Sequence, residues 1–191
     1  MNIKKLEHTQ FPLNTERIIL LAGNGQNVGK TTFACLLIEH IKNLNQKVYS
    51  LKISPHFHDQ NPLNCIYKGN DFILSLEKKR GTGKDSSRYL DAGADESFFL
   101  QVKDEKLEEA IKYSFSFFPK ETIIVVESGG LRNILKPKLF FFLLKQKDTK
   151  MKEKAKDWPG LADKVIAFDG AGFDFAVDKI QLKNDELSIL D

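Results

Sequence analysis

The stretch Gly23-Asn24-Gly25-Gln26-Asn27-Val28-Gly29-Lys30-Thr31-Thr32 decides how this chain is read. An apolar segment, Ile18 to Ala22, runs into it and reads as a buried parallel strand. The segment leaving it, Phe33 to Ile41, reads as a helix. A strand that enters a glycine-rich loop and leaves through Gly-Lys-Thr into a helix is the setting of a phosphate-cradling loop. Glycine lets the backbone curl until successive N–H groups face one concavity, and the helix adds the positive end of its dipole there. In this reading Gly25, Gln26, Asn27, Val28, Gly29 and Thr32 form the cradle, Lys30 reaches the β- and γ-phosphates, and the Thr31 hydroxyl binds magnesium.

The spacing departs from the usual pattern of Gly, four residues, then Gly-Lys-Ser/Thr. The first glycine position falls on Asn24, with Gly23 one residue early and Gly25 one late. Asparagine tolerates a left-handed backbone better than most residues, so the turn is expected to survive.

Working outward, Lys47 to Ile53 alternates as a second strand. Joined to the first by a helix, it forms a right-handed βαβ unit whose carboxyl ends open on one edge. That places Lys52 beside the phosphates as a charge-stabilising group. The polar loop Ser54 to Asn64 carries His56, His58 and Asp59. If extended, the two histidines point to one side, as metal ligands do, whereas Asp59 suits a magnesium-binding or water-positioning acid. Phe72 to Leu76 reads as a helix turn or an extra strand, and Glu77 to Lys84 as a charged, glycine-broken loop.

A short helix is expected at Ser86 to Leu90, with Arg88 able to reach an anion, and a third strand at Glu96 to Val102. Asp104 caps a helix with Leu107, Ala110, Ile111, Phe115 and Phe118 on one face, ended by Pro119. The clearest buried strand, Thr122 to Val126, delivers Glu127 at its carboxyl end, where a magnesium–nucleotide site needs an acid to hold the metal through water. Two more strands, Lys138 to Leu144 and Lys164 to Phe168, flank a polar helix over 146–156, and a last strand or hairpin follows Phe173. The loop Asp169 to Gly172 falls on the same sheet edge and is a candidate to touch a base.

Composition sets the bounds. A chain of 191 residues, 41% apolar and 29% charged, suits one α/β domain with a real core. The net charge of +3 is mild and argues neither for nor against a polyanion. Neither nucleic acid nor a membrane is expected as partner. Two cysteines, Cys35 and Cys65, make no disulfide scaffold, and Cys35 is expected as a buried thiol. Lys4 and Lys5 are followed by no long apolar run, so a cytoplasmic location is expected.

Several of these segments together carry a resemblance. Gly29-Lys30-Thr31-Thr32, Lys52 with its histidine-bearing loop, Gly83-Lys84-Asp85-Ser86 with Arg88, Ala92-Gly93-Ala94 and Val126-Glu127 resemble the molybdopterin-guanine dinucleotide biosynthesis protein B family over residues 17 to about 130. The resemblance implies a GTP-binding homodimer with feeble hydrolysis that assists a partner biosynthetic enzyme in molybdenum cofactor guanylylation. Family members usually keep a glycine where Asn24 stands, and the segment between His58 and Asp85 is longer here. After Gly130 the match is poor. Gly23-Asn24 and Glu127-Ser128-Gly129-Gly130-Leu131 are similar instead to dethiobiotin synthetase, an ATP-dependent ligase, and Glu127-Ser128-Gly129-Gly130 to urease-type nickel-insertion GTPases.

The expectation is therefore a three-layer α/β P-loop NTPase fold, a mostly parallel sheet with helices on both faces, in a single domain spanning 1–191 with a lead-in over 1–16 and a variable loop region over 54–84. Its expected ligands are magnesium and GTP or ATP. Lys30, Asp59 and Glu127 are the expected catalytic groups, with Thr31, Glu127 and Asp59 around the metal.

Overall fold

The computed structural model describes residues 15–57, 64–145 and 155–190. The strand β1 (Ile18–Gly23) leads through the glycine-rich loop into α1 (Lys30–Asn43), then β2 (Val48–Ser54). A pair of strands follows, β3 (Cys65–Lys68) and β4 (Phe72–Glu77), then α2 (Asp85–Asp91) and β5 (Glu96–Val102). The chain continues through α3 (Leu107–Phe115), β6 (Ile123–Glu127), β7 (Leu139–Lys145), a short α4 (Trp158–Leu161) and β8 (Lys164–Phe168). It closes with β9 (Ile180–Lys183) and β10 (Glu186–Ile189).

Eight strands form one sheet in the order β3-β4-β5-β2-β6-β1-β7-β8. Pairing is parallel from β5 through β8, while β3 and β4 are antiparallel at one margin. The extra-strand reading of Phe72 to Leu76 is therefore the right one. β1 and β2 are not neighbours: β6 lies between them, with Leu21 opposite Glu127 on one side and Lys52 opposite Glu127 on the other. That insertion carries the Glu127 carboxylate to the mouth of the loop.

Side chains alternate across the sheet because successive Cβ atoms point to opposite faces. Ile18, Leu20 and Ala22 join a core with Leu107, Ala110, Ile111 and Phe115 of α3, and with Phe140, Phe142 and Trp158. Ile19 and Leu21 join the opposite core with Phe33, Ala34, Leu37, Ile38 and Ile41 of α1, and with Tyr89 of α2. Helices thus cover both faces, a three-layer α/β arrangement. On β7, Phe141 is fully buried between the rings of Phe33 and Phe175, a side chain whose burial contributes roughly 1.5–3 kcal/mol.

Local details differ from expectation at three helix ends. α1 runs to Asn43, two residues past the expected Ile41, and Leu44 beyond it is 37% exposed. Its exit turns through Asn45 at φ 57°. α3 begins only at Leu107, after a 3-10 turn Asp104–Lys106, so Lys106 and not Asp104 holds its N-cap position. The helix ends at Phe115, short of Pro119, although Phe118 still packs in the core. The tail is a hairpin, and its two-residue turn, Asn184 and Asp185 at φ 49° and 69°, has both residues in the left-handed region that such turns require. Ile180 and Leu187 of this hairpin reach the α1-side core, and His40 Nε2 donates to the Ile180 carbonyl across 2.7 Å. Among the described residues no helix is long and apolar enough to cross a membrane. Most of the polar helix expected over 146–156 lies outside the described residues.

Candidate functional site

The loop that opens α1 takes its shape from a few positions. Gly23 is the last residue of β1, opposite Leu143 of β7, and a Cβ there would stand 2.6 Å from the Leu143 carbonyl oxygen. The glycine one residue early is thus a strand residue forced by close backbone approach. Asn24 follows, buried, its N–H bonded to the same carbonyl across 3.2 Å. The left-handed turn expected at Asn24 falls instead on Asn27, at φ 56°, and Gly29, at φ 83°. Val28 between them turns its side chain inward and is 1% exposed. Gly29 occupies the N-cap of the 14-residue α1, so the free N–H groups of the first turn and the helix dipole face the loop's concavity.

Lys30 reaches back across that concavity and donates to the Gly25 carbonyl at 2.6 Å. Next to it, Thr31 Oγ1 donates to Glu127 Oε2 at 3.1 Å. Glu127 is 3% exposed, and its charge is met on the other oxygen by the Lys52 ammonium. Lys52 also pairs with Asp85 at 3.0 Å. It serves as counter-ion to two carboxylates as well as lying beside the cradle. Arg88 Nη2 donates to Thr32 Oγ1 at 3.2 Å, so α2 leans on the first turn of α1.

A cleft of about 740 Å³ opens over these groups. Its walls include Gly25, Gln26, Asn27, Gly29, Lys30, Thr31, Thr32, Lys52, Arg88 and Glu127. It continues past the loop to His56, Asp104 and Trp158. Phe168, at the end of β8, also borders it, and Phe168 and Phe173 pack over Gly29. The turn between these two rings is held by Asp169, whose Oδ1 accepts the N–H groups of Ala171 and Gly172, each at 2.7 Å. Those N–H bonds, Gly172 first, hold the Asp169 carboxyl below the usual range.

The structure therefore brings Gly25, Gln26, Asn27, Gly29, Lys30, Thr31, Thr32, Lys52, Arg88 and Glu127 together. His56 borders the cleft, but His58 and Asp59 lie outside the described residues. Among the described residues no group of three His, Cys, Asp or Glu side chains is placed to hold a metal.

Two contributors escaped the sequence reading. Ser128 Oγ accepts the N–H groups of Gly130 and Leu131, each at 3.1 Å, and fixes the turn after Glu127. Tyr89, fully buried, donates its hydroxyl to Glu127 Oε2 at 2.5 Å. Burial foremost, then the Glu127 charge, pushes the Tyr89 phenol well above its ordinary range. Asp85, Arg88 and Tyr89 are spaced i, i+3, i+4, so one face of α2 carries all three contacts. That spacing was the available signal.

Magnesium prefers hard oxygen ligands and usually takes only one or two from protein, filling the rest with water and substrate phosphates. The Thr31 hydroxyl and the Glu127 carboxylate, adjacent and at the cleft, fit that donor set. No family model, curated protein or solved structure matches the chain.

Proposed function

We propose that this chain is a P-loop protein that binds a magnesium–nucleoside triphosphate, GTP or ATP, and hydrolyses it slowly or only with a partner. The observation that carries the reading is the left-handed Gly29 at the start of α1, with Lys30 in the loop's concavity and Thr31 against Glu127. An entering phosphate takes the place of the Gly25 carbonyl as acceptor for the Lys30 ammonium and gains the loop N–H groups as well. Thr31 would supply one oxygen to a magnesium ion and Glu127 would hold one of its waters; bound there, the ion would supply neutralisation of the terminal phosphate charge. Lys52 balances the carboxylate that would otherwise be an uncompensated buried charge. Asp59 or a residue from a partner positions the attacking water.

The resemblance read from Lys84-Asp85-Ser86, Arg88 and Ala92-Gly93-Ala94 favours an adapter role: a homodimer that assists a partner enzyme of molybdenum cofactor guanylylation in the cytoplasm. A second reading, an ATP-dependent ligase, draws on the extension of the cleft to His56, Asp104 and Trp158, which leaves room for a small second substrate.

Calorimetry with GTP and ATP, with and without magnesium, tests the proposal. Wild-type protein is expected to bind, and Lys30→Ala to lose most of that affinity. Equal affinity in the two proteins rules out the assigned site. A ligase further predicts many-fold stimulation of ADP release by a small metabolite alone, whereas an adapter stays slow until its protein partner is added.

A further inference from the structure

We infer that Tyr89 is a positioning residue for the metal-holding carboxylate Glu127, an assignment that rests on the magnesium–nucleotide reading. Glu127 is fixed by donors from three separate elements. Lys52 of β2 meets Oε1, while Thr31 of α1 and Tyr89 of α2 both donate to Oε2. Lys52 and Thr31 border the open cleft. Tyr89 is 1% exposed and stands behind the carboxylate, where neither solvent nor ligand competes for its hydroxyl.

The hydroxyl has no packing purpose that a phenylalanine would not serve. Burying a phenol costs free energy unless it is bonded, and a phenyl ring of the same shape avoids that cost. What the hydroxyl adds is a second donor on Oε2, which resists rotation of the carboxylate when Thr31 turns its oxygen to a metal. The same helix face pairs Asp85 with Lys52 and Arg88 with Thr32. α2 therefore holds the metal side of the cleft as one rigid unit. Groups that orient metal-holding carboxylates typically set metal affinity by about 10- to 100-fold.

The test uses full-length wild type and Tyr89→Phe with a fluorescent GTP or ATP analogue and MgCl2. Nucleotide affinity in EDTA is expected to be equal in the two proteins, and the magnesium concentration for half-effect to rise by roughly tenfold in the variant. Equal EDTA affinity with an unchanged magnesium requirement overturns the inference and leaves the nucleotide reading standing. Wild-type protein that binds no nucleotide overturns the reading itself. If Tyr89→Phe does not fold, 3-fluorotyrosine placed at position 89 keeps ring and hydroxyl. Its fluorine resonance is expected to move when magnesium joins the nucleotide complex and to be unmoved by magnesium without nucleotide. No movement in the ternary complex overturns the inference.

Discussion

Thr31 Oγ1 donates to Glu127 Oε2 across 3.1 Å, although 96 residues separate the two in sequence. The bond joins the first turn of α1 to the carboxyl end of β6, and it exists because β6 is the immediate parallel neighbour of β1. A hydroxyl and a carboxylate at adjoining ends of two parallel strands leave the loop's concavity on one side and open cleft on the other.

Glu127→Gln keeps the shape of this junction and removes its charge. Lys52 then keeps Asp85 as an ion-pair partner, and in the proposed site the metal's water would lose a full negative charge. Nucleotide affinity in EDTA is expected to persist while magnesium affinity falls by about 10- to 100-fold. Losing one charged partner of the half-buried Lys52 also lowers stability, by about 1 kcal/mol. Calorimetry with and without MgCl2, beside a thermal melt, reads both effects. A variant with undiminished magnesium affinity removes Glu127 from the metal.

Gly29→Ala is expected to damage the loop twice over. At φ 83° an alanine is strained, and its Cβ would stand 2.8 Å from Phe173 Cε1 and 3.0 Å from Phe168 Cγ. The backbone cost alone is roughly 1–2 kcal/mol, and the two rings must shift in addition. The melting temperature should fall by about 2–4 °C per kcal/mol for a chain of this size. Nucleotide affinity is expected to fall with it, because the displaced N–H groups no longer converge. Gly25→Ala is the control, since open space surrounds that position and its φ is not in the left-handed region. Equal melting temperatures for the two variants would count against the strained N-cap.

How much of this was legible varies with the range of the interaction. β5 was readable to the residue, Glu96 to Val102, and β1, α1 and β6 nearly so, because each announces itself by local periodicity or an apolar run. β4 was not, since Phe72-Ile73-Leu74 is too short for its period to choose between helix and strand. The place of β6 between β2 and β1 is tertiary, and no local pattern encodes it. The same holds for Tyr89, whose meaning depends on a carboxylate 38 residues away. Asn24 does not take the left-handed turn because Gly23 is spent on the approach to Leu143, which a count of glycines along the loop cannot show.

Cys35 gives a pH dependence whose sign is fixed by its surroundings. The thiol is half-buried in the α1–α2 seam and not fully buried as expected, and that desolvation, offset in part by the Arg88 charge, pushes it up to about 11 from an ordinary 9.0. Its Sγ meets the Arg88 carbonyl at 3.6 Å, which suits a thiol donor and not a thiolate. The folded state therefore holds this proton more tightly than the unfolded state does. The resulting stabilisation is fully present below about pH 9 and is lost as pH rises from 9 through 11. Cys35→Ala should weaken that loss, so the difference in urea midpoint between variant and wild type is expected to narrow or reverse from pH 8 to pH 10.5 in the variant's favour. Alkylation by iodoacetamide at pH 8 should also be slow at Cys35, because its thiolate fraction is about 100-fold below that of an unshifted thiol. Mass spectrometry of the Cys35 peptide against a free cysteine peptide reads this directly, and reaction at the free-peptide rate would show that the seam between α1 and α2 stands open to water.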